Sequence, residues 1–314
     1  MVPGWEQGVS QLLPLLRHRH EHQSRNDNHA RENLGRSDRG YRLHLCSELD
    51  VYSTSDDGLG WDCGYRNLQM MISALTPLVR TRDSAGSLPP TTLPASAPWR
   101  SGKVPSVLLI QRALEEAWSC GFDPESSHHF HGTIQGSRAW IGAIDAAALL
   151  RFWGIEARLV DSDPRQSAQR WGPHPAILAW IWDYFEKRCV RASGCVACRI
   201  DAATEPASRG DTEVERATTM TGKGRQPIPP LFLQYAGHSM TVIGAELNTA
   251  LEEVQLVILD PNRQRHAARL HLDLRSLWDL QAPQYQVLYI AESIFWDERT
   301  PIAYRQTLTS SRLT

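Results

Sequence analysis

Cys63, His238 and Asp260 carry the side chains from which a thiol nucleophile with its base and acid can be assembled. Cys63 ends a turn-rich approach, SDDGLGWDC, and opens a stretch in which Leu68, Met71, Ile72 and Leu75 recur at helical spacing. That puts it at a helix N-terminus, where unpaired backbone N–H groups and the positive end of the dipole favour a thiolate. The thiolate, not the thiol, is the nucleophile of covalent catalysis. His238 follows Gly237 and enters a run that alternates through Met240 and Val242, so it starts a strand and can face a cleft as a general base. Asp260 ends the apolar run VQLVIL, and Pro261 stops further pairing. A carboxylate there can accept the Nδ1–H of a neighbouring imidazole, fixing its tautomer and stabilising the imidazolium. Taken singly, each also has a structural reading: a small buried thiol, a core histidine, an Asx turn.

Spacing joins them. The histidine and aspartate strands are consecutive, with a short polar turn around residues 248–253, and consecutive strands usually pair. In a simple hairpin the two side chains meet at one edge. A cysteine at a helix start facing a His–Asp pair on a sheet is the general layout of papain-like peptidases. The elements that must position these residues follow from periodicity. Helices are expected over 64–75, 106–118, 140–152 and 174–185, and strands over 155–160, 231–235, 240–247, 254–259 and 285–291. Helices first and strands later predict an α+β domain, a helical half packed on a mostly antiparallel sheet. We expect residues 1–40 to be disordered or loosely attached and 41–300 to form one domain. Polar insertions are expected near 82–99 and 200–226, and a tail over 301–314.

A formal net charge of -2 over 314 residues offers no electrostatic case for nucleic acid or an anionic membrane. No apolar run approaches the roughly 20 residues of a membrane span, and the N-terminus does not read as a signal peptide. Six irregularly spaced cysteines fit a reducing compartment, so a cytoplasmic or nuclear chain with a free thiol is expected. Cys195-x-x-Cys198, with Cys189, falls short of a four-ligand zinc set, and the cluster His128, His129 and His131 reads as a solvated loop. No metal or organic cofactor is expected.

The segments GWDCGYRNLQMM, TIQGSRAWIGAIDAAALLRFWGI, PLFLQYAGHSMTVIG and LVILDP, in that order, resemble the ubiquitin-fold-modifier proteases. They are most similar to the zinc-finger-containing deubiquitinase branch of that family. The resemblance spans roughly residues 43–291. It implies a papain-like fold, cleavage after the C-terminal glycine of ubiquitin, and a triad of Cys63, His238 and Asp260. Ubiquitin or polyubiquitin is the implied partner, and we expect the chain to be a monomer. Two alternatives are a protease for another ubiquitin-like modifier, such as the ubiquitin-fold modifier, and an inactive ubiquitin-binding relative. The modifier-specific branch carries Asp-Pro-His, whereas here Asn262 follows Asp260-Pro261. No zinc-finger ligand set precedes Cys63, so the chain-binding modules of longer relatives are not expected here. The family usually has glycine before the cysteine. Asp62 stands there instead, and should raise the thiol pKa by repulsion unless it turns toward Arg66. On the mechanism this implies, the backbone N–H of Cys63 helps hold the oxyanion, with Tyr52 or Gln234 as candidates for a second donor. Trp61, Trp140 and Gly142 are candidates for the wall of a channel that admits only glycines.

Overall fold

The computed structural model describes residues 41–54, 60–84, 93–162, 174–191, 228–249, 251–264, 272–297 and 299–313. The expected loose N-terminal segment and the insertion at 200–226 lie outside the described residues, as does 85–92 of the 82–99 stretch.

Among the described residues, eight strands form one sheet: β1 (Tyr41–Leu45), β2 (Ile155–Ser162), β3 (Leu231–Tyr235), β4 (His238–Asn248), β5 (Glu253–Leu259), β6 (Asp273–Arg275), β7 (Tyr285–Phe295) and β8 (Ser310–Leu313). Their order is β6-β5-β4-β3-β7-β2-β8, with β1 paired to β4. Every pairing is antiparallel except β2 with β8. The long β4 organises the site. Its first residues pair with β3 and its last with β1, while β5 runs along the opposite side. The strand takes β1 only because position 244 is glycine. A Cβ on Gly244 would stand 2.3 Å from the carbonyl oxygen of His44. A register shift between Val242 and Gly244 leaves Ile243 as the extra residue of a bulge, and its carbonyl accepts the N–H of Cys46 at 2.7 Å.

The helices are α1 (Cys63–Ser84), α2 (Pro98–Ser101), α3 (Val107–Ser119), α4 (Pro124–His129), α5 (Ala143–Phe152), α6 (Pro175–Arg191), α7 (Pro261–Gln264) and α8 (Ile302–Gln306). Alternate residues of the central strands serve two different cores. Phe232, Leu288 and Ile290 pack with α1, α3 and α5, whereas Leu231, Leu233 and Val287 pack with α6. Since neighbouring strand residues point to opposite faces, helices cover both sides of the sheet. Two helix boundaries move, and two stretches read as loop or tail carry regular structure. Helix α1 runs through Pro77 to Ser84, because Val79 continues the apolar face into the first core and packing outweighs one lost N–H. Helix α5 starts at Ala143, leaving 140–142 outside it, with Gly142 extended as its N-cap. The histidine-rich segment contains the short α4, capped by Asp123 accepting from Ser126 N–H at 3.2 Å. The C-terminal stretch read as a tail contains α8 and β8. It also supplies the Thr307 carbonyl that takes an N–H of the buried Arg151 at 2.5 Å.

Candidate active site

Cys63 is the first residue of α1 and only 3% exposed. Gly64 lets the helix start press against the chain at 139–142, since a Cβ there would lie 2.3 Å from the carbonyl oxygen of Ile141. One residue on, the Tyr65 hydroxyl donates to the carbonyl of Ala139 at 3.0 Å. Asp62 turns from the thiol: Arg66 Nε donates to its carboxylate at 3.0 Å, Arg66 also bonds Gln69, and Gln69 donates to the Pro105 carbonyl at 2.7 Å. The carboxylate beside the nucleophile is thus compensated by an ion pair one helical turn away.

Burial pushes the Cys63 thiol up. Hydrogen bonding to His238 and to Ser239, with the His238 charge, more than reverses that and leaves it below its ordinary range. Ser239 donates to Cys63 Sγ at 3.4 Å. Its oxygen accepts from Asn67 Nδ2 at 2.9 Å, and Asn67 Oδ1 accepts from Thr241 at 2.8 Å. Asn67, one helical turn beyond Cys63, therefore locks α1 to alternate residues of β4. This network escaped the reading of the sequence. Its signal was present: a lone asparagine in an apolar helical stripe, and two hydroxyls at strand spacing just after the histidine.

His238 and Asp260 meet at 3.0 Å, as the hairpin argument requires. The ring atom differs from expectation. Nε2, not Nδ1, faces the carboxylate, which leaves Nδ1 for the thiol. The register supplies the reason. Thr241 pairs with Leu259, so Asp260 falls opposite Met240 and diagonal to His238, a separation only the outer ring nitrogen spans. Burial opposes the imidazolium, but Asp260 and Cys63 raise His238 to about 9. Burial likewise opposes the carboxylate, and His238 brings Asp260 below its ordinary value. Asn262 was not anticipated either: its backbone N–H donates to Asp260 Oδ1 at 2.9 Å and its amide lies 3.5 Å from His238 Nδ1.

The remaining candidates surround this centre. Half-buried Tyr52 feels the charge of Arg66, and its phenol, raised mainly by burial, stands at about 12. Gln234 accepts the N–H of Ala143 through Oε1, so that oxygen is committed to the start of α5. Gly142 lies against the same amide, with room for no Cβ (2.7 Å to Gln234 Oε1). Trp61 meets Tyr65 edge to face with ring centroids 5.6 Å apart. Trp140 is 49% exposed and is not a core residue. Among the described residues, no three or more His, Cys, Asp or Glu side chains are grouped to hold a metal ion. Cys195 and Cys198 lie outside them.

A thiol at a helix start, with an imidazole and a carboxylate on adjacent strands facing it, is the arrangement of a papain-like cysteine peptidase. The sequence pattern of Peptidase family C78 matches residues 39–282, and the chain belongs to that family. It is 29% identical over 276 residues to the "Zinc finger-containing ubiquitin peptidase 1" of Homo sapiens, covering 84% of this chain and 40% of that protein. To the "Ubiquitin carboxyl-terminal hydrolase mug105" of Schizosaccharomyces pombe it is 25% identical over 250 residues, covering 76% of this chain and 78% of the other. Alignment with the solved structure titled "Crystal structure of UfSP from C.elegans" gives a TM-score of 0.39 at 15% identity, over 79% of this chain and 34% of that one.

Proposed function

We propose that this chain hydrolyses the bond after the C-terminal glycine of ubiquitin. Cys63 is the nucleophile, His238 the base and acid, and Asp260 the residue that orients and charges His238. The observation that carries this reading is geometric: the His238 ring meets Asp260 at 3.0 Å, next to Ser239, which bonds the Cys63 thiol at the start of one helix. The names of the human and yeast relatives support ubiquitin as the modifier.

In this mechanism the imidazolium and thiolate form a resting ion pair. The thiolate attacks the glycine carbonyl, and the developing oxyanion meets the backbone N–H of Cys63 at the helix N-terminus. His238 Nδ1 then protonates the leaving lysine amine, with Nε2–H held by Asp260 throughout. Water, deprotonated by His238, releases the glycine carboxylate and regenerates the thiol. Trp61, Trp140 and Gly142 wall the approach.

The test is reaction of wild type and Cys63→Ala with a panel of probes, ubiquitin and other ubiquitin-like modifiers bearing an electrophile at the C-terminus. A Cys63-dependent adduct with ubiquitin is expected. An adduct only with another modifier moves the substrate to that modifier. No adduct from folded protein removes the enzymatic reading.

A further inference from the structure

We propose that Asp145 is a positioning residue that fixes the segment 140–142 as a rigid wall for the modifier's C-terminal tail. The proposal rests on the function proposed above. The segment lies outside any regular element, and Gly142 itself is extended at φ −110° and ψ −170°. It is tied at each end. Upstream, the Ala139 carbonyl takes the Tyr65 hydroxyl, and the Ile141 carbonyl abuts Gly64 beside the nucleophile. Downstream, the Gly142 N–H goes to Asp145 Oδ2 at 2.8 Å, and the Ala143 N–H goes to Gln234. Between these ties stands Trp140, half exposed and not packed into either core. A large aromatic presented to solvent on a pinned segment, next to Ile141, which abuts the helix that carries the thiol, is suited to gripping an extended peptide.

Asp145 is placed unusually for a mere helix cap. Its residue is 7% exposed, with Ser126 as the side chain nearest to bonding it besides the Gly142 N–H. Asp123, whose charge acts on it, is equally buried and has an unpartnered Oδ2. Burial, helped by Asp123, raises Asp145 to about 6. A surface cap would avoid that desolvation. Here the short distance to Gly142 requires the carboxylate to sit inward, behind the wall. What the wall needs is the acceptor oxygen, not the charge.

This separates two substitutions. Asp145→Ala removes the acceptor and frees the Gly142 N–H. Asp145→Asn keeps an oxygen for Gly142 and offers an amide N–H toward Asp123. Each variant is assayed for kcat and KM on ubiquitin with a fluorogenic C-terminal amide, for iodoacetamide alkylation of Cys63, and for thermal unfolding. The expected result is a KM raised on the order of tenfold in Asp145→Ala from loss of one positioning contact. Cys63 alkylation should be unchanged, and Asp145→Asn should keep a KM near wild type. Three results overturn the proposal while leaving the function standing: unchanged KM in folded Asp145→Ala, alkylation and turnover falling together, or Asp145→Asn as impaired as Asp145→Ala. A wild type without Cys63-dependent turnover overturns the proposed function, and this proposal with it.

Discussion

The Cys63 thiol is buried yet ionises more easily than an ordinary cysteine, because its proton has a better place to go. That place, His238, is raised to about 9 by Asp260 and by the thiolate itself. Two pH limits follow. On the mechanism proposed above, as pH rises through about 9 His238 loses its proton and can no longer protonate the leaving amine, while the thiolate persists. Hydrolysis of an isopeptide substrate should therefore fall through that pH, and iodoacetamide alkylation of Cys63 should not. The stability signs agree. His238 is raised above its ordinary 6.5, so its contribution is complete below that pH and is lost as pH rises through about 9. Asp260 is lowered, so its contribution is present above 3.8 and is lost as pH falls through its folded value. Urea midpoints measured across pH test both limbs. Asn67→Ala should cost about 1–3 kcal/mol in urea unfolding, since it strands the buried Thr241 hydroxyl and releases Ser239 from the thiol.

At the scale of elements, two glycines mark where one piece of backbone must touch another. A methyl at Gly244 would sit 2.3 Å from the carbonyl oxygen of His44, and one at Gly64 the same distance from that of Ile141. Neither neighbour is a flexible side chain, so each clash must move an element. Gly244→Ala should lower stability by about 1–3 kcal/mol by prying β1 from β4, read as a shifted denaturation midpoint. If the proposed function holds, Gly64→Ala should instead show mainly in activity, raising KM on ubiquitin, because it displaces the Ile141 backbone beside the thiol. The start of α1, the four central strands and the turn between β4 and β5 were readable from local periodicity. The end of α1 and the start of α5 were not. Pro77 and Trp140 follow local rules, but core packing around Val79 and the Asp145 bond to Gly142 decide those boundaries.

Across the whole molecule, the sheet is the frame that sets the distance between Cys63 and His238. Helix α1 lies over β4 through Asn67, and α6 supports the opposite face from the second core. The C-terminal stretch contributes more than its polar sequence suggests. Strand β8 adds to β2, and Arg151 Nη1 bonds the Thr307 carbonyl while its Nε bonds the Ala157 carbonyl at 2.7 Å. Deleting residues 302–314 should destabilise the domain by at least about 1–3 kcal/mol in chemical denaturation, because the buried guanidinium loses its acceptor there. Serines and an arginine in SSRL carry no alternation of apolar residues, so β8 was invisible until β2 was in place to receive it.

By itself the sequence made legible the class of peptidase and the local placement of its candidate residues. Those are a cysteine opening an amphipathic helix, a histidine opening a strand, an aspartate closing the next, and an order of motifs that resembles one peptidase family. All depend on neighbours within a few residues, where periodicity and turn chemistry act. Tertiary structure decided what depends on register and on distant partners. It set which nitrogen of His238 meets Asp260, that Asp62 is neutralised by Arg66 and spares the thiol, that Trp140 faces solvent, and that Asn67 clamps helix to strand. The reason is physical. A one-residue slip in register moves every side chain to the other face, and no local pattern in the sequence prescribes which distant strand or helix fills the place.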